Sequence, residues 1–131
     1  MAKPDVFSIR NTSVEAYAHP VVHEIKVRRA DLLADLKKPD KRAAYLDLGG
    51  ECWYVLGCDA RGRPIARAEE IPAECGVLLA PSAGPLEVLR PAPYRELPRL
   101  PFPVWMALAK AQPVPGFDED AQGWLNGAGE V

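Results

Sequence analysis

Between residues 21 and 56 the hydrophobic period changes twice, and this limits the possible folds more than any other feature of the chain. In "VVHEIKV", Val21, His23, Ile25 and Val27 fall on one face and Val22, Glu24 and Lys26 on the other, the period of a strand. "RRADLLADLKK" then takes up helical spacing, with Leu32, Leu33 and Leu36 on one stripe. Lys37 and Lys38 close that helix, where its dipole favours cations. Pro39 interrupts it and suits the first turn of a second helix, "DKRAAYLDL", for which Gly49 and Gly50 supply the stop. "CWYVLGC" is short, apolar and bounded by glycine, which predicts a buried strand.

The flanking segments extend this order. "VFSIR" alternates like a strand, and "NTSVEAYAHP" has the turn-forming and polar residues to carry the chain round to "VVHEIKV" as an antiparallel partner. "DARGRP" reads as a turn, and "GVLLA" and "LEVLR" around "PSAG" as a further hairpin. "FPVWMALAKAQ" predicts a short helix with Pro103 in its first turn and Val104, Trp105 and Leu108 on its inner face. The order is strand, strand, helix, helix, strand, strand, strand, helix, an α/β or α+β domain.

A chain of 131 residues fits one domain with one core, here residues 1–112. Residues 113–131 carry Asp118, Glu119, Asp120 and Glu130 and no Lys or Arg, and read as an acidic, flexible tail pinned at most by Phe117 or Trp124. The net charge of −2 gives no sign of nucleic-acid binding, but the basic residues crowd between Lys26 and Arg42. The three cysteines, Cys52, Cys58 and Cys75, form no CxxC pair and read as free thiols of a reducing cytoplasm. Neither a signal peptide nor an apolar run of about 18 residues is present, so a membrane is not expected.

Glu24 and Lys26 are the residues most informative about chemistry. Two apart in a strand, they project from one face of an otherwise apolar segment, where charges are normally excluded. A carboxylate with a second acid nearby can hold a divalent cation, and a lysine beside it can orient water and stabilise charge growing on a phosphate. Asp5, on the preceding strand, is the candidate second acid; two carboxylates and few other ligands suit Mg²⁺. The plainer alternative is a solvated sheet face on which Glu24 and Lys26 neutralise one another.

With Pro4-Asp5 and Glu24-Ile25-Lys26 in its motif positions, the chain resembles the PD-(D/E)xK nuclease superfamily. "HEIKVRRADLLADLKKPDKRAAYLDLGGECWYVLGC" is also similar to small bacterial MmcB-like DNA-repair proteins. The resemblance covers roughly residues 4–90. It implies a restriction-endonuclease-like fold, a mixed central sheet flanked by helices, here lacking the usual N-terminal helix. It also implies a cytoplasmic bacterial enzyme, a DNA endonuclease dependent on Mg²⁺ or Mn²⁺ and acting in repair or mobile-element processing. Asp5, Glu24 and the Ile25 carbonyl would then ligate the metal, and Lys26 would assist the attacking water. Lys41-Arg42-Ala43-Ala44-Tyr45 keeps the tyrosine of a Gln-x-x-x-Tyr pattern common in relatives and puts lysine in place of glutamine. His23 and Tyr45 would support the motif. Arg28, Arg29, Lys37, Lys38, Lys41 and Arg42 would line a surface that grips DNA phosphates through salt-dependent, sequence-independent contacts. A homodimer or a DNA-repair partner is the expected assembly. The alternative is a non-catalytic DNA- or partner-binding module on the same fold.

Other constellations fit less well. "HEIKV" lacks the second histidine of HExxH, since position 27 is Val27, and reads as strand. His19, His23, Cys52 and Cys58 would form a zinc site only if the fold happened to bring them together. The cysteines lie in or beside apolar segments, which favours burial over nucleophilic work. Asp31 and Asp35, one helical turn apart, read as a solvated face offset by Arg28 and Lys38, with a second-metal role as the sharper alternative.

Overall fold

A computed structural model of the chain describes residues 3–96 and 99–111. The chain divides after Leu100 into two compact units, Met1–Leu100 and Pro101–Val131. The first holds strands β1 (Val6–Ser8), β2 (Val21–Lys26), β3 (Glu51–Leu56), β4 (Gly76–Leu79) and β5 (Glu87–Arg90), with helices α1 (Arg29–Leu36) and α2 (Pro39–Leu48) between β2 and β3. In the second, the described residues form α3 (Phe102–Lys110), with a proline in its first turn as expected. The expected acidic tail and its anchors Phe117 and Trp124 lie outside the described residues.

The five strands form one mixed sheet in the order β1-β2-β3-β4-β5. β1 runs antiparallel to β2, β2 and β3 are parallel, β3 and β4 are parallel, and β5 returns antiparallel to β4. A parallel neighbour cannot be reached by a tight turn and needs a crossover. The α1–α2 pair is the crossover from β2 to β3, and both helices pack on β2. The second crossover, from β3 to β4, is irregular apart from a 3₁₀ turn at Ala68–Glu70. Arg90 of β5 fastens it, its guanidinium donating to the carbonyls of Ala68, Ile71, Pro72 and Cys75 at 2.7–3.1 Å. The first unit is thus a mixed α+β domain, with every strand and helix in the expected order.

The core lies between the sheet and the α1–α2 pair. Val22, Leu32, Tyr45, Cys52, Tyr54 and Leu56 are fully enclosed there, each side chain of this size contributing roughly 1.5–3 kcal/mol on burial. The expected stripe on α1 is rotated by one position. Leu32 is buried and Leu36 half-buried, but Leu33 is 40% exposed, and Asp35 faces the core in its place. Spacings of three and four from Leu32 reach Asp35 and Leu36, whereas Leu33 is turned about 100° away.

The stop after α2 also has a different cause from the one expected. Gly49 has φ −125°, an extended backbone open to any residue. Its glycine is required by crowding: a Cβ there would lie 2.9 Å from the Glu51 carbonyl oxygen and 3.1 Å from Val22 Cγ2.

Candidate charged site on the covered face of the second strand

The alternation expected in β2 is present. Val22 and Glu24 are buried against the helices, with Lys26 next on the same face, while Ile25 on the other is 45% exposed. Glu24 and Lys26 are therefore beneath the crossover helices rather than on a solvated sheet face. Among the described residues Glu24 and Asp35 are the two buried charged side chains. Asp35 overturns the reading of Asp31 and Asp35 as a solvated pair; Asp31 alone remains exposed.

The two carboxylates meet at one cation. Lys41, from the first turn of α2, donates to Glu24 Oε2 at 2.8 Å and to Asp35 Oδ1 at 2.7 Å. Lys26 stands behind it, its Nζ 3.5 Å from Glu24 Oε2 and 3.7 Å from Asp35 Oδ1. Tyr54 of β3 closes the far side, its hydroxyl donating to Asp35 Oδ2 at 2.6 Å. Two buried acids thus face two lysines and a tyrosine. An isolated buried charge would be untenable, and pairing with hydrogen bonds is what permits this one. Lys41, half-buried at the edge of the core, neutralises Asp35 and Glu24, where a role in gripping phosphate had been expected; Lys26 and Lys41, rather than Arg28 and Lys38, offset Asp35.

These contacts set the protonation behaviour. Burial pushes the Asp35 carboxyl up, but the hydrogen bonds from Lys41 and Tyr54 and the Lys26 charge outweigh it and hold the group below the ordinary aspartate value. Burial likewise opposes the Lys41 charge, and the hydrogen bonds to Asp35 and Glu24 overcome it, raising the ammonium above its usual value. Burial, reinforced by the hydrogen bond to Asp35 and its charge, raises the Tyr54 hydroxyl. Tyr45 is pushed to about 12 by burial and then by the Glu24 charge. Its hydroxyl donates to the Lys3 carbonyl at 3.1 Å, and Lys41 Nζ lies 5.6 Å from its ring centre.

Asp5 lies beside Glu24. Val6 opposes His23 in the β1–β2 ladder, so one step back Asp5 faces Glu24. Asp5 N–H points at Glu24 Oε1 at 3.4 Å, and its Oδ2 accepts the Ile25 N–H at 2.8 Å. The Asp5 carboxylate is therefore tied to the backbone of the motif. His23 is on the opposite face of β2 from Glu24; burial lowers its pKa, and its Nδ1 is enclosed with no hydrogen-bond partner among the described residues.

Of the expected phosphate-gripping residues, Lys37 and Lys38 are exposed after α1. Arg42 donates to the Leu36 carbonyl at 3.4 Å, and Arg29 is bound to Glu70. A hollow of about 290 Å³ opens beside the cluster, lined in part by Lys26, Asp31, Asp35, Lys38 and Lys41.

Among the described residues no three His, Cys, Asp or Glu side chains gather as a metal-holding group. The donor chemistry for a divalent cation is present at one point: Glu24 Oε2 and Asp35 Oδ1 already converge on a single positive atom, Lys41 Nζ.

Sequence reasoning weighed Asp35 only as a solvated acid or a minor second-metal residue and missed Tyr54 as a member of the site. The signal for Asp35 was its place on the Leu32–Leu36 stripe, where a charge facing a core needs a partner. His19 and Cys52, weighed as zinc ligands, are engaged elsewhere. His19 Nε2 pairs with Glu51 Oε2 at 2.9 Å, and Cys52 is fully buried in the core.

Fold and site together define a mixed α+β domain with a paired-charge cluster on the covered face of its sheet. No family model matches the chain, and no curated protein matches it. Among solved structures it is similar to the SPO1766 protein of unknown function from Silicibacter pomeroyi, at 24% sequence identity and a TM-score of 0.48, over 86% of this chain and 67% of that one. No helix among the described residues is long and apolar enough to cross a membrane.

Proposed function

We propose that the chain is a restriction-endonuclease-like, metal-dependent DNA nuclease of repair or mobile-element processing. The observation that carries this reading is the buried Glu24 beside the half-buried Lys26 on the helix-covered face of β2, with Asp5 opposite Glu24 in the ladder. Replacing a buried ion pair by apolar residues is often neutral or stabilising by roughly 1–4 kcal/mol, so stability alone gives weak reason to keep one in a core. Reaction at a phosphodiester gives such a reason.

Glu24 and Asp35 would hold the cation, with Lys41 displaced from between them, and the cation would supply positive charge against the growing charge on the phosphate. Lys26, fixed by both carboxylates, presents an ammonium at the hollow, where it can orient water and share that charge. Asp5 holds the Ile25 amide and so fixes the strand segment between Glu24 and Lys26.

One observation favours a second reading, a non-catalytic DNA- or partner-binding module. With Lys41 in place the two carboxylates are already neutralised by protein charge. The deciding experiment incubates the protein with branched, single-stranded and duplex DNA and Mn²⁺, beside Lys26→Ala and Glu24→Gln, and titrates Mn²⁺ by calorimetry. Cleavage by the parent that both substitutions abolish supports the nuclease. No cleavage and no heat of Mn²⁺ binding would leave the binding module.

A further inference from the structure

Next to the hollow at Lys26 and Lys41 lies a larger one of about 630 Å³, and Val27 is a wall of both. The larger hollow lies between the exit of β2, at Arg28 and Arg29, and the turn after β3, at Asp59 and Arg63. Three arginines therefore face one carboxylate, and the three differ in freedom. Arg29 is committed: its Nη1 donates to the Ile65 carbonyl at 2.9 Å and its Nη2 to Glu70 Oε1 at 2.7 Å. That hydrogen bond holds the Glu70 carboxyl down at about 2.

Arg63 is much freer. Its Nε reaches Asp59 Oδ2 at 3.4 Å, and its side chain is 66% exposed. Asp59 is itself occupied, its Oδ1 accepting the N–H groups of Arg61 and Arg63 at 2.9 Å each. Arg28 is exposed and forms no side-chain hydrogen bond or ion pair among the described residues. One open guanidinium fork, Arg28, and a second engaged only at its Nε, Arg63, thus stand at one hollow, and a fork matches the oxygens of a phosphate.

We propose that Arg28 and Arg63 seat a backbone phosphate of a nucleic-acid strand whose neighbouring phosphate lies at the Lys26 hollow. The proposal rests on the reading of the chain as DNA-directed and adds to it the course of the strand. Neither hollow has an aromatic side chain in its lining, so a base finds nothing to stack on, and the backbone is the part recognised. The cationic lining extends over two adjoining open hollows, which suits a polyanion better than a single free anion. Arg63 lies outside the basic run of residues 26–42, and only the fold brings it beside Arg28.

The test is fluorescence anisotropy of dye-labelled duplex DNA in EDTA, where binding is read without hydrolysis, across a salt series. Each neutralised phosphate contributes close to one to the slope of log affinity against log salt. Arg28→Ala and Arg63→Ala should each weaken binding, and the double variant should flatten that slope by about 1, the share of the one phosphate that both forks hold. Arg63→Lys should restore much of the loss, and Arg10→Ala, at an exposed arginine outside both hollows, should leave the slope unchanged. Circular dichroism of each variant establishes that the fold is retained. An unchanged slope in the double variant, an equal loss in Arg10→Ala, or absence of DNA binding by the parent would overturn the proposal. So would displacement of the DNA by inorganic phosphate at matched ionic strength. Binding with the expected slopes but no cleavage in Mn²⁺ would remove the nuclease reading and leave the backbone track standing.

Discussion

Asp35 carries its charge into the core, and its partners set the cost of removing that charge. Lys41, Lys26 and Tyr54 all turn toward it, so Asp35→Asn leaves two ammonium groups facing a single carboxylate, Glu24. Breaking a buried pair in this way costs roughly 3–5 kcal/mol at neutral pH. The sign of the shift gives the pH dependence. The folded Asp35 carboxyl is held below its ordinary value, so its contribution is complete above the unfolded value of about 3.9 and is lost as pH falls from there through the folded value. The stability gap between parent and Asp35→Asn should therefore be widest near neutrality and narrow in strong acid. Urea unfolding of both proteins at about pH 7 and about pH 3 checks this, and an equal gap at both would mean that Asp35 acts through packing alone. Glu70, also held down, keeps a residual acid limb in the variant. The sequence carried half of this site. Glu24 and Lys26 were legible because two charges on one face of an apolar strand call for explanation. The Asp35–Lys41 contact was not, because on a helix a charge one position off the inner face and a charge on it look alike until the helix is docked.

The elements were the most legible part of the chain, because each is fixed by local periodicity and punctuation. Strand alternation in "VVHEIKV", Pro39 in the first turn of α2 and the short apolar β3 all depend on near neighbours in sequence. What locality does not encode is close approach between distant segments, and Gly50 is an instance. Its N–H donates to the Pro20 carbonyl at 2.8 Å and its carbonyl accepts the Arg95 N–H at 2.7 Å, joining three segments at the start of β3. A Cβ on Gly50 would lie 2.6 Å from the Arg95 carbonyl oxygen, a backbone atom that cannot rotate aside. Gly50→Ala should therefore destabilise by about 1–3 kcal/mol through overpacking. The measurement is the denaturant midpoint at unchanged m-value; a midpoint equal to that of the parent would mean that the 91–96 segment yields freely. Crowding of this kind explains why glycines that look like helix stops from the sequence serve here to let strands and loops meet.

At the scale of the whole molecule, charge is divided along the chain more than net charge suggests. The chain is formally −2, yet four of its acids lie beyond Gln112 with no basic residue among them, so the remainder is formally positive. Within that remainder the fold sorts the basic residues into two groups. Lys26, Lys41 and Arg29 are bound to Glu24, Asp35 and Glu70, whereas Arg28 and Lys38, with Arg63 held only at its Nε by Asp59, are left at the rims of the two hollows. This sorting could not be read from the sequence, in which the run from Lys26 to Arg42 looks uniform, because it depends on which acids the crossover helices and the β3–β4 crossover bring near. It also makes the acidic segment testable as a competitor for the same surface. Charges act on an approaching polyanion over distances of the order of the Debye length, about 10 Å at 0.1 M salt and longer in dilute buffer. Deleting residues 113–131 should therefore tighten duplex binding, by several-fold at low salt and by progressively less as salt rises and screens the acids. Anisotropy titrations of the full-length and truncated proteins over the same salt series measure this. A salt-independent gain would point to steric cover rather than charge, and unchanged affinity at low salt would mean that the acidic segment does not act at the arginine-lined surface.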